Sequence, residues 1–121
     1  MARILVVDDE EQIRTLLRKL FSLHGHTVDA AANGEEAIDQ VQKQSYDLML
    51  IDRFMPIMTG IDAVSVIRSS PKFKDLKILM VTSAERIEDI DTAYKAGVDG
   101  YVIKPFDINR LLEKVDQTLK K

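Results

Sequence analysis

The stretch that decides the fold is Ile4-Leu5-Val6-Val7-Asp8-Asp9, where four apolar residues run directly into two carboxylates. An uninterrupted apolar run of this length is typical of a strand buried on both faces of a parallel sheet. Three later runs repeat the pattern, and one alternates with polar residues, which favours an edge strand. The repeating runs are residues 48–51, 78–81 and 101–103, and the alternating run is residues 27–31.

Stretches with helical periodicity separate these strands. In the first, apolar residues recur at i, i+3, i+4, i+7 and i+8, which places them on one face of an α-helix. Shorter versions of the same spacing predict four more helices. The apolar residues concerned are Ile13, Leu16, Leu17, Leu20 and Phe21, then Ala37, Ile38 and Val41, then Val64 and Ile67, then Ile87, Ile90 and Tyr94, then Ile108, Leu111, Leu112 and Val115.

The expected helix ends carry matching signals. Asn33 followed by Glu36 predicts a capping box, and Asp107 predicts an N-cap. Gly25 and Gly97 stand where two helices should end. The regular β-α alternation therefore predicts a doubly wound α/β three-layer sandwich.

For five such units the expected parallel sheet has the strand order 2-1-3-4-5, with a ligand crevice between the first and third strands at their carboxyl ends. No linker, repeat or low-complexity segment interrupts the pattern. We expect residues 1–121 to form a single domain with no output domain attached.

Composition narrows the function classes. The net charge of −3 and the pI near 5.4 argue against direct nucleic acid binding, which favours a basic face. No apolar run approaches the ~20 residues that span a bilayer, and no signal-peptide pattern begins the chain. With no cysteine, disulfides and thiolate chemistry are excluded. We expect a soluble cytoplasmic domain without membrane insertion.

Polar residues follow the strands at the predicted crevice. Asp8 and Asp9 end the first strand, Asp52 ends the third, Thr82 and Ser83 end the fourth, and Lys104 with Pro105 ends the fifth. Because the carboxyl ends of parallel strands share one edge of the sheet, these groups should converge. Crowded carboxylates repel unless a cation intervenes, and Mg²⁺ suits oxygen ligands while leaving room for a phosphoryl oxygen. With Mg²⁺ and Lys104 neutralising a phosphate, one carboxylate can act as a nucleophile.

Each residue also has a plainer interpretation. Asp9 could cap the first helix together with Gln12, and Thr82 or Ser83 could cap the fourth. Lys104 before a proline could be a solvated turn residue, and Tyr101 a half-buried packing residue. Asp52 has no such explanation, because it follows four apolar residues and precedes a loop without cap geometry. Chance caps have no reason to converge on one crevice, so the joint pattern favours a functional site.

The same residues resemble the signature blocks of response-regulator receiver domains, of the single-domain type found in chemotaxis and sporulation phosphorelays. The blocks, in order along the chain, are residues 4–9, Asp52 with Met55-Pro56 and Gly60, Thr82-Ser83-Ala84, and residues 100–106. The resemblance implies a flavodoxin-like fold and a switch in two-component signalling, not an enzyme acting on other molecules.

The resemblance also implies roles. Asp52 would accept a phosphoryl group from a histidine kinase or phosphotransfer protein. Asp9 and Asp52 would ligate Mg²⁺ directly, Asp8 mostly through water, and the backbone carbonyl of Phe54 would add a ligand. Thr82 and Lys104 would each contact a phosphoryl oxygen.

Further implications concern the output. Movement of Thr82 would let Tyr101 turn inward and change the surface formed by the fourth helix, fifth strand and fifth helix, which would control a downstream protein target. The Lys104–Pro105 peptide would be cis, and the domain would be a monomer or a phosphorylation-dependent dimer.

Two residues depart from the family pattern. Phe54 is bulkier than the small or polar side chains common at its position, and it predicts a longer-lived phosphorylated state. Arg53 is also uncommon, and we interpret it as a solvated charge instead of a partner contact. On the polar face of the first helix, Arg14, Thr15 and Arg18 are candidates for contact with the phosphodonor, although a charged helix face is usually only solvated.

Three other functions remain as alternatives. A haloacid-dehalogenase-type phosphatase would need an Asp-x-Asp spacing and a cap, whereas Asp8 and Asp9 are adjacent and the chain is short. A nucleotide or flavin module would need a glycine-rich phosphate loop, which the sequence lacks. A receiver used as a phosphate-independent scaffold is disfavoured by the intact set of acidic residues, hydroxyl and lysine.

Overall fold

The computed structural model describes residues 1–121 as five parallel strands alternating with five α-helices. The sheet order is β2-β1-β3-β4-β5, so the predicted doubly wound architecture is confirmed and β2 is an edge strand. The strands are β1 (Arg3–Val7), β2 (Thr27–Ala31), β3 (Leu48–Ile51), β4 (Lys77–Thr82) and β5 (Gly100–Ile103). The helices are α1 (Glu11–Leu23), α2 (Gly34–Lys43), α3 (Gly60–Arg68), α4 (Ile87–Ala96) and α5 (Ile108–Leu119), with a 3₁₀ turn at Pro71–Phe73.

Side-chain alternation along the strands builds a separate core on each face of the sheet. On one face, Ile4 and Val6 of β1 pack in a cluster with Leu17 and Phe21 of α1. On the other face, Leu5 and Val7 join a cluster that includes residues of α2, α3 and α4. The continuous apolar runs are therefore explained by burial on both faces, and the polar residues that follow each run emerge together at the carboxyl edge.

The predicted helix ends are mostly as expected. The Asn33 side chain accepts a hydrogen bond from the Glu36 amide at 2.9 Å, while the Glu36 carboxylate accepts from the Ala32 amide at 2.9 Å, one residue before the position of a regular capping box. Asp107 caps α5 by accepting from the amide of Asn109 at 2.8 Å. Gly25 and Gly97, with φ of 87° and 120°, follow α1 and end α4 in the left-handed region that favours glycine.

Two plainer interpretations of site residues are wrong. The N-cap residue of α1 is Glu10, which makes no side-chain cap bond, so Asp9 does not cap this helix. The N-cap residue of α4 is Arg86, whose amide donates to the Asp89 carboxylate at 3.3 Å, so neither Thr82 nor Ser83 caps it. In both cases the helix begins later than the polar residues after the strand, which leaves those residues free for the crevice.

The apolar stripe of α4 predicts the helix but not its core contacts. Ala93 is the buried residue of this helix, whereas Ile87 is 82% exposed and Tyr94 is 46% exposed. In α1, by contrast, Leu17 and Phe21 are both fully buried. The fourth helix is therefore held to the sheet by fewer large side chains than the first.

Candidate functional site

Three carboxylates lie together at the carboxyl edge of the sheet. Asp8 ends β1, Asp9 follows it, and Asp52 follows β3, and one oxygen from each lies within 4.8 Å of the others. Asp8 and Asp52 are buried, with exposed fractions of 3% and 8%, whereas Asp9 is exposed. The adjacent pairing of β1 with β3 produces this cluster, because it brings the ends of these two strands side by side.

Lys104 lies between the two buried carboxylates. Its Nζ is 2.7 Å from Asp8 Oδ2 and 3.1 Å from Asp52 Oδ2. Burial by itself lowers the pKa of Lys104, but the hydrogen bond to Asp8 and the charge of Asp52 outweigh it and raise that pKa above its ordinary value. The Lys104–Pro105 peptide bond is cis. The contacts with Asp8 and Asp52 make the Lys104 ammonium the cation that neutralises these two buried acids.

The remaining oxygens of the two buried acids accept backbone hydrogen bonds. Asp8 Oδ1 accepts from the Glu10 amide at 2.9 Å, and Asp52 Oδ1 accepts from the Arg53 amide at 2.6 Å. Burial raises the pKa of Asp8, and the hydrogen bonds from Lys104 and Glu10 offset this only in part. Three carboxylates against one ammonium thus leave a negative site of hard oxygen ligands, which fits a divalent cation such as Mg²⁺.

Thr82 and Tyr101 meet at the loop between β4 and α4. Thr82 is fully buried, and its Oγ1 accepts from the Ala84 amide at 3.4 Å. The Tyr101 hydroxyl donates to the carbonyl oxygen of the same Ala84 at 2.6 Å. Burial raises the pKa of Tyr101. A displacement of Ala84 would therefore change the hydrogen bonds of both side chains.

Arg53 is not solvated, so that interpretation is wrong. Its side chain is 16% exposed, and one guanidinium nitrogen donates to the Asp89 carbonyl oxygen at 2.9 Å and lies 4.0 Å from the Asp89 carboxylate. Its guanidinium carbon also lies 5.7 Å from the centre of the Phe54 ring, which is 58% exposed. Successive side chains of an extended segment point to opposite faces, so Asp52 points to the crevice and Arg53 points toward α4.

The three candidates on α1 have different environments. Arg14 is half-buried and donates to the Asp8 carbonyl oxygen at 2.7 Å, so it helps to position the backbone that carries the Asp8 carboxylate. Thr15 and Arg18 are exposed. The sequence does not distinguish the contact of Arg14 from a solvated position, because a basic residue one turn into a helix is also common on solvated faces.

The loop from Arg53 to Gly60 is held in one shape. The Gly60 amide donates to the Arg53 carbonyl oxygen at 2.8 Å, and a Cβ at Gly60 would overlap the Asp52 carbonyl oxygen. Met58 donates its amide to the Pro56 carbonyl at 2.8 Å across Ile57, whose φ is 72°. This is a γ-turn with a β-branched residue at positive φ, a strained conformation.

Residues 4–116 match the family model of the response regulator receiver domain. The chain belongs to this family. Receiver domains act as phosphorylation-dependent switches in two-component signalling, and the acidic pocket of these domains binds Mg²⁺.

Individual relatives support the same assignment. The chain is 36% identical over 120 residues to the chemotaxis protein CheY of Pseudomonas aeruginosa, covering 98% of this chain and 97% of that protein. It is 36% identical to the transcriptional regulatory protein ResD of Bacillus subtilis, of which it spans about half (48%).

Solved structures agree with the fold in detail. Chemotaxis protein CheY4 of Vibrio cholerae superposes with a TM-score of 0.92 at 33% identity, covering 98% of both chains. Response regulator protein TrrA of Thermotoga maritima, solved in complex with Mg²⁺-BeF, has a TM-score of 0.86 at 40% identity, covering 98% of this chain and 99% of that one. None of the helices combines the length and the apolar character needed to cross a membrane.

Proposed function

We propose that Asp52 accepts a phosphoryl group from a histidine kinase or histidine phosphotransfer protein in a Mg²⁺-dependent reaction. The observation that carries this proposal is the placement of Lys104 between Asp8 and Asp52, beside the exposed Asp9. An ammonium and two further carboxylates around one buried carboxylate combine a nucleophile with the charges needed to bind both a cation and a phosphate.

Asp8, Asp9 and Asp52, with the backbone carbonyl of Phe54, would hold the Mg²⁺ ion. Such an ion neutralises negative charge on the phosphoryl oxygens. The exposed Asp9 gives the ion an entry from solvent, while the burial of Asp8 and Asp52 keeps their oxygens in place.

In the transfer, a carboxylate oxygen of Asp52 forms a bond to phosphorus while the bond from phosphorus to the donor nitrogen or oxygen breaks. The leaving group keeps the electron pair of the broken bond, and a phosphohistidine donor then takes up a proton on that nitrogen. Lys104 is already 3.1 Å from Asp52 and pairs with a phosphoryl oxygen, and Thr82 donates its hydroxyl to another. Positioning and charge neutralisation supply most of the rate acceleration in such transfers.

The output surface in this proposal is formed by α4, β5 and α5. Thr82 and Tyr101 both contact Ala84, so movement of the Thr82 hydroxyl toward a phosphoryl group would alter the hydrogen bond that positions the Tyr101 ring. Exposed apolar residues on these elements supply a surface for a downstream protein: Ile87, Tyr94, Ile103 and Ile108.

The same proposal makes the domain a cytoplasmic switch that acts on no substrate other than itself. It would work as a monomer or as a phosphorylation-dependent dimer, without direct nucleic acid binding or membrane insertion. Thr15 and Arg18, both exposed on α1, are the side chains proposed to meet the phosphodonor.

Intact mass measurement tests the phosphorylation. The wild type, Asp52→Asn and the exposed control Asp62→Asn are incubated with acetyl phosphate and Mg²⁺, with a parallel set containing a chelator. We expect one added phosphoryl group on the wild type and on Asp62→Asn, and none on Asp52→Asn or with the chelator. Modification of Asp52→Asn would contradict the assignment, and no modification with acetyl phosphate or a phosphorylated histidine phosphotransfer protein would support a phosphate-independent scaffold.

A further inference from the structure

We propose that Arg53 is a positioning residue that couples the acceptor carboxylate to the first turn of α4. This inference rests on phosphorylation at Asp52 as proposed above. It gives the neighbour of the acceptor a role of its own, separate from that of Thr82 and Tyr101.

Arg53 touches both ends of the proposed coupling. Its backbone amide donates to Asp52 Oδ1 at 2.6 Å, and its guanidinium donates to the Asp89 carbonyl oxygen at 2.9 Å. The Asp89 carboxylate lies 4.0 Å from the same guanidinium nitrogen and also accepts from the Arg86 amide. One residue therefore links the reacting group to the N-terminal turn of a helix on the opposite face of the sheet.

The first turn of α4 has few other attachments. Ile87, at its start, is 82% exposed, and the buried residue of the helix, Ala93, lies further along. With little apolar packing at this end, local opening is controlled largely by polar contacts. The hydrogen bond from the Arg53 guanidinium to the Asp89 carbonyl oxygen is such a contact, and ionised donors form the stronger hydrogen bonds.

Tyr101 lies in the same environment. Its hydroxyl donates to the Ala84 carbonyl oxygen in the loop that leads into α4, and the Arg53 guanidinium donates to the Asp89 carbonyl oxygen in the first turn of that helix. Burial raises the pKa of Tyr101, and the positive charge of Arg53 acts in the opposite direction. A shift of Arg53 would consequently change the surroundings of both α4 and the tyrosine.

Phosphoryl transfer alters the first of the two contacts. When Asp52 forms its bond to phosphorus, the negative charge shared by the two carboxylate oxygens moves onto the phosphoryl group. The Arg53 amide then loses a charged acceptor, while the Gly60 amide still holds the Arg53 carbonyl oxygen. With one of its two backbone anchors weakened, Arg53 shifts enough to weaken the guanidinium contact with Asp89, so phosphorylation loosens the first turn of α4.

Amide hydrogen exchange over residues 87–91 measures this turn directly. The variants are Arg53→Ala and Arg53→Lys. The control is Arg86→Ala, which also removes one positive charge near the start of α4. The ion pair between Arg86 and Glu88 is largely exposed, so its loss should matter little. In the unphosphorylated protein we expect about tenfold faster exchange in Arg53→Ala, a smaller increase in Arg53→Lys, and wild-type exchange in Arg86→Ala. Unchanged exchange in Arg53→Ala would overturn the proposed stabilisation of the first turn of α4 by Arg53.

A double-mutant cycle then tests the coupling without phosphate. Asp52→Ala removes the oxygen that accepts from the Arg53 amide, and it should speed exchange over residues 87–91 in the wild-type background but not in Arg53→Ala. Equal effects in both backgrounds would overturn the proposal. Because no phosphodonor is present, a failure here is distinct from a failure of Asp52 to be phosphorylated.

A final arm uses protein phosphorylated to the same extent, verified by intact mass. Phosphorylation should speed exchange in the first turn of α4 several-fold in the wild type and little in Arg53→Ala. A purely structural role for Arg53 would lower protection in both states while leaving the phosphorylation-induced change intact, and that outcome would count against coupling.

Discussion

Both ends of the sheet carry aspartates beside one basic side chain, but the two sets of aspartates differ in their exposure to water. At the amino end, Asp29 accepts a hydrogen bond from the Tyr46 hydroxyl at 2.7 Å and pairs with Arg3 at 3.6 Å, and Asp47 accepts from the Arg3 amide at 2.8 Å. At the carboxyl end, Asp8 and Asp52 share the ammonium of Lys104, and Asp9 completes the acidic cluster. The carboxylates at the amino end are half-exposed or exposed to water, whereas Asp8 and Asp52 are buried.

This difference separates stabilising polar contacts from functional ones. Water screens the exposed carboxylates of the amino end, so a further cation adds little there, whereas a divalent cation at the carboxyl end would neutralise buried charge. Burial raises the pKa of Asp8, and the hydrogen bonds from Lys104 and the Glu10 amide offset this only in part. Variants at the two ends should therefore respond differently to metal, charge removal and pH.

The largest effect is expected from Gly60→Ala. The added Cβ would overlap the Asp52 carbonyl oxygen, so the backbone that carries the acceptor must shift. We expect a loss of stability of about 3 kcal/mol or more, as for overpacking against rigid backbone, together with slower phosphorylation by acetyl phosphate. Urea unfolding and intact mass measure the two effects. Gly25→Ala, far from the site, should leave phosphorylation unchanged, and a normal rate in Gly60→Ala would show that the loop tolerates displacement.

Lys104→Met should destabilise the metal-free protein by about 3 kcal/mol, because it leaves two buried carboxylates facing each other. Mg²⁺ should restore part of this loss. At the amino end, Arg3→Met removes a half-exposed pair and should change stability by only about 0.5 kcal/mol, with no response to Mg²⁺. Urea unfolding with and without the metal makes the comparison, and equal losses for the two variants would remove the distinction between the ends.

Mg²⁺ should raise the melting temperature of the wild type. At a free concentration ten times the Kd, the gain is about 1.4 kcal/mol by mass action. Asp9→Asn removes an exposed carboxylate of the cluster and should require more Mg²⁺ for the same gain, whereas Asp47→Asn at the amino end should behave like the wild type. Thermal melts across a magnesium titration provide the measurement, and an identical midpoint for Asp9→Asn would exclude it from the metal site.

Phe54→Asn should shorten the life of the phosphorylated form several-fold. The ring is 58% exposed, lies beside Arg53 and stands two residues after the acceptor, where it can hinder an attacking water. Phe54→Leu keeps an apolar side chain of similar bulk and serves as the control. The rate at which mass-shifted protein reverts after removal of the donor gives the lifetime, and unchanged reversion in Phe54→Asn would contradict the shielding role.

The smallest effect concerns high pH. Burial and the hydrogen bond to Asp29 raise the pKa of Tyr46 well above its ordinary value of 10.0, so the protonated form is favoured in the folded state. Stability from this group is complete below pH 10.0 and declines as the pH rises toward the folded value. Tyr46→Phe should reduce the slope of stability against pH above 10.0, as followed by urea unfolding. Identical slopes would contradict the shift.

The sequence was most informative where a strand ends in polar residues. The runs at residues 4–9 and 48–52 predicted both the sheet and the position of Asp8 and Asp52, because a buried parallel strand must be apolar and its end must face the crevice. Contacts made by long side chains were not predictable in this way. Arg53 and Arg14 both have environments that only the packing of α4 and α1 defines.

Helix caps were predicted with mixed success for a related reason. Asn33 and Asp107 stand immediately before their helices, whereas α1 and α4 begin after intervening loop residues that propensity does not reveal. Thr59, which caps α3 by accepting from the Asp62 amide at 3.2 Å, was not identified because the preceding loop has no periodic pattern.

The γ-turn at Ile57 has a kinetic consequence. A β-branched residue at a φ of 72° is retained because the loop is fixed at both sides, by the Gly60 amide on Arg53 and by the Gly34 amide on the Met58 carbonyl at 3.3 Å. The ordering of this segment is thus completed when the chain folds. A ligand that binds at this site would meet a loop whose shape is already set, so its association would include no step in which this loop becomes ordered.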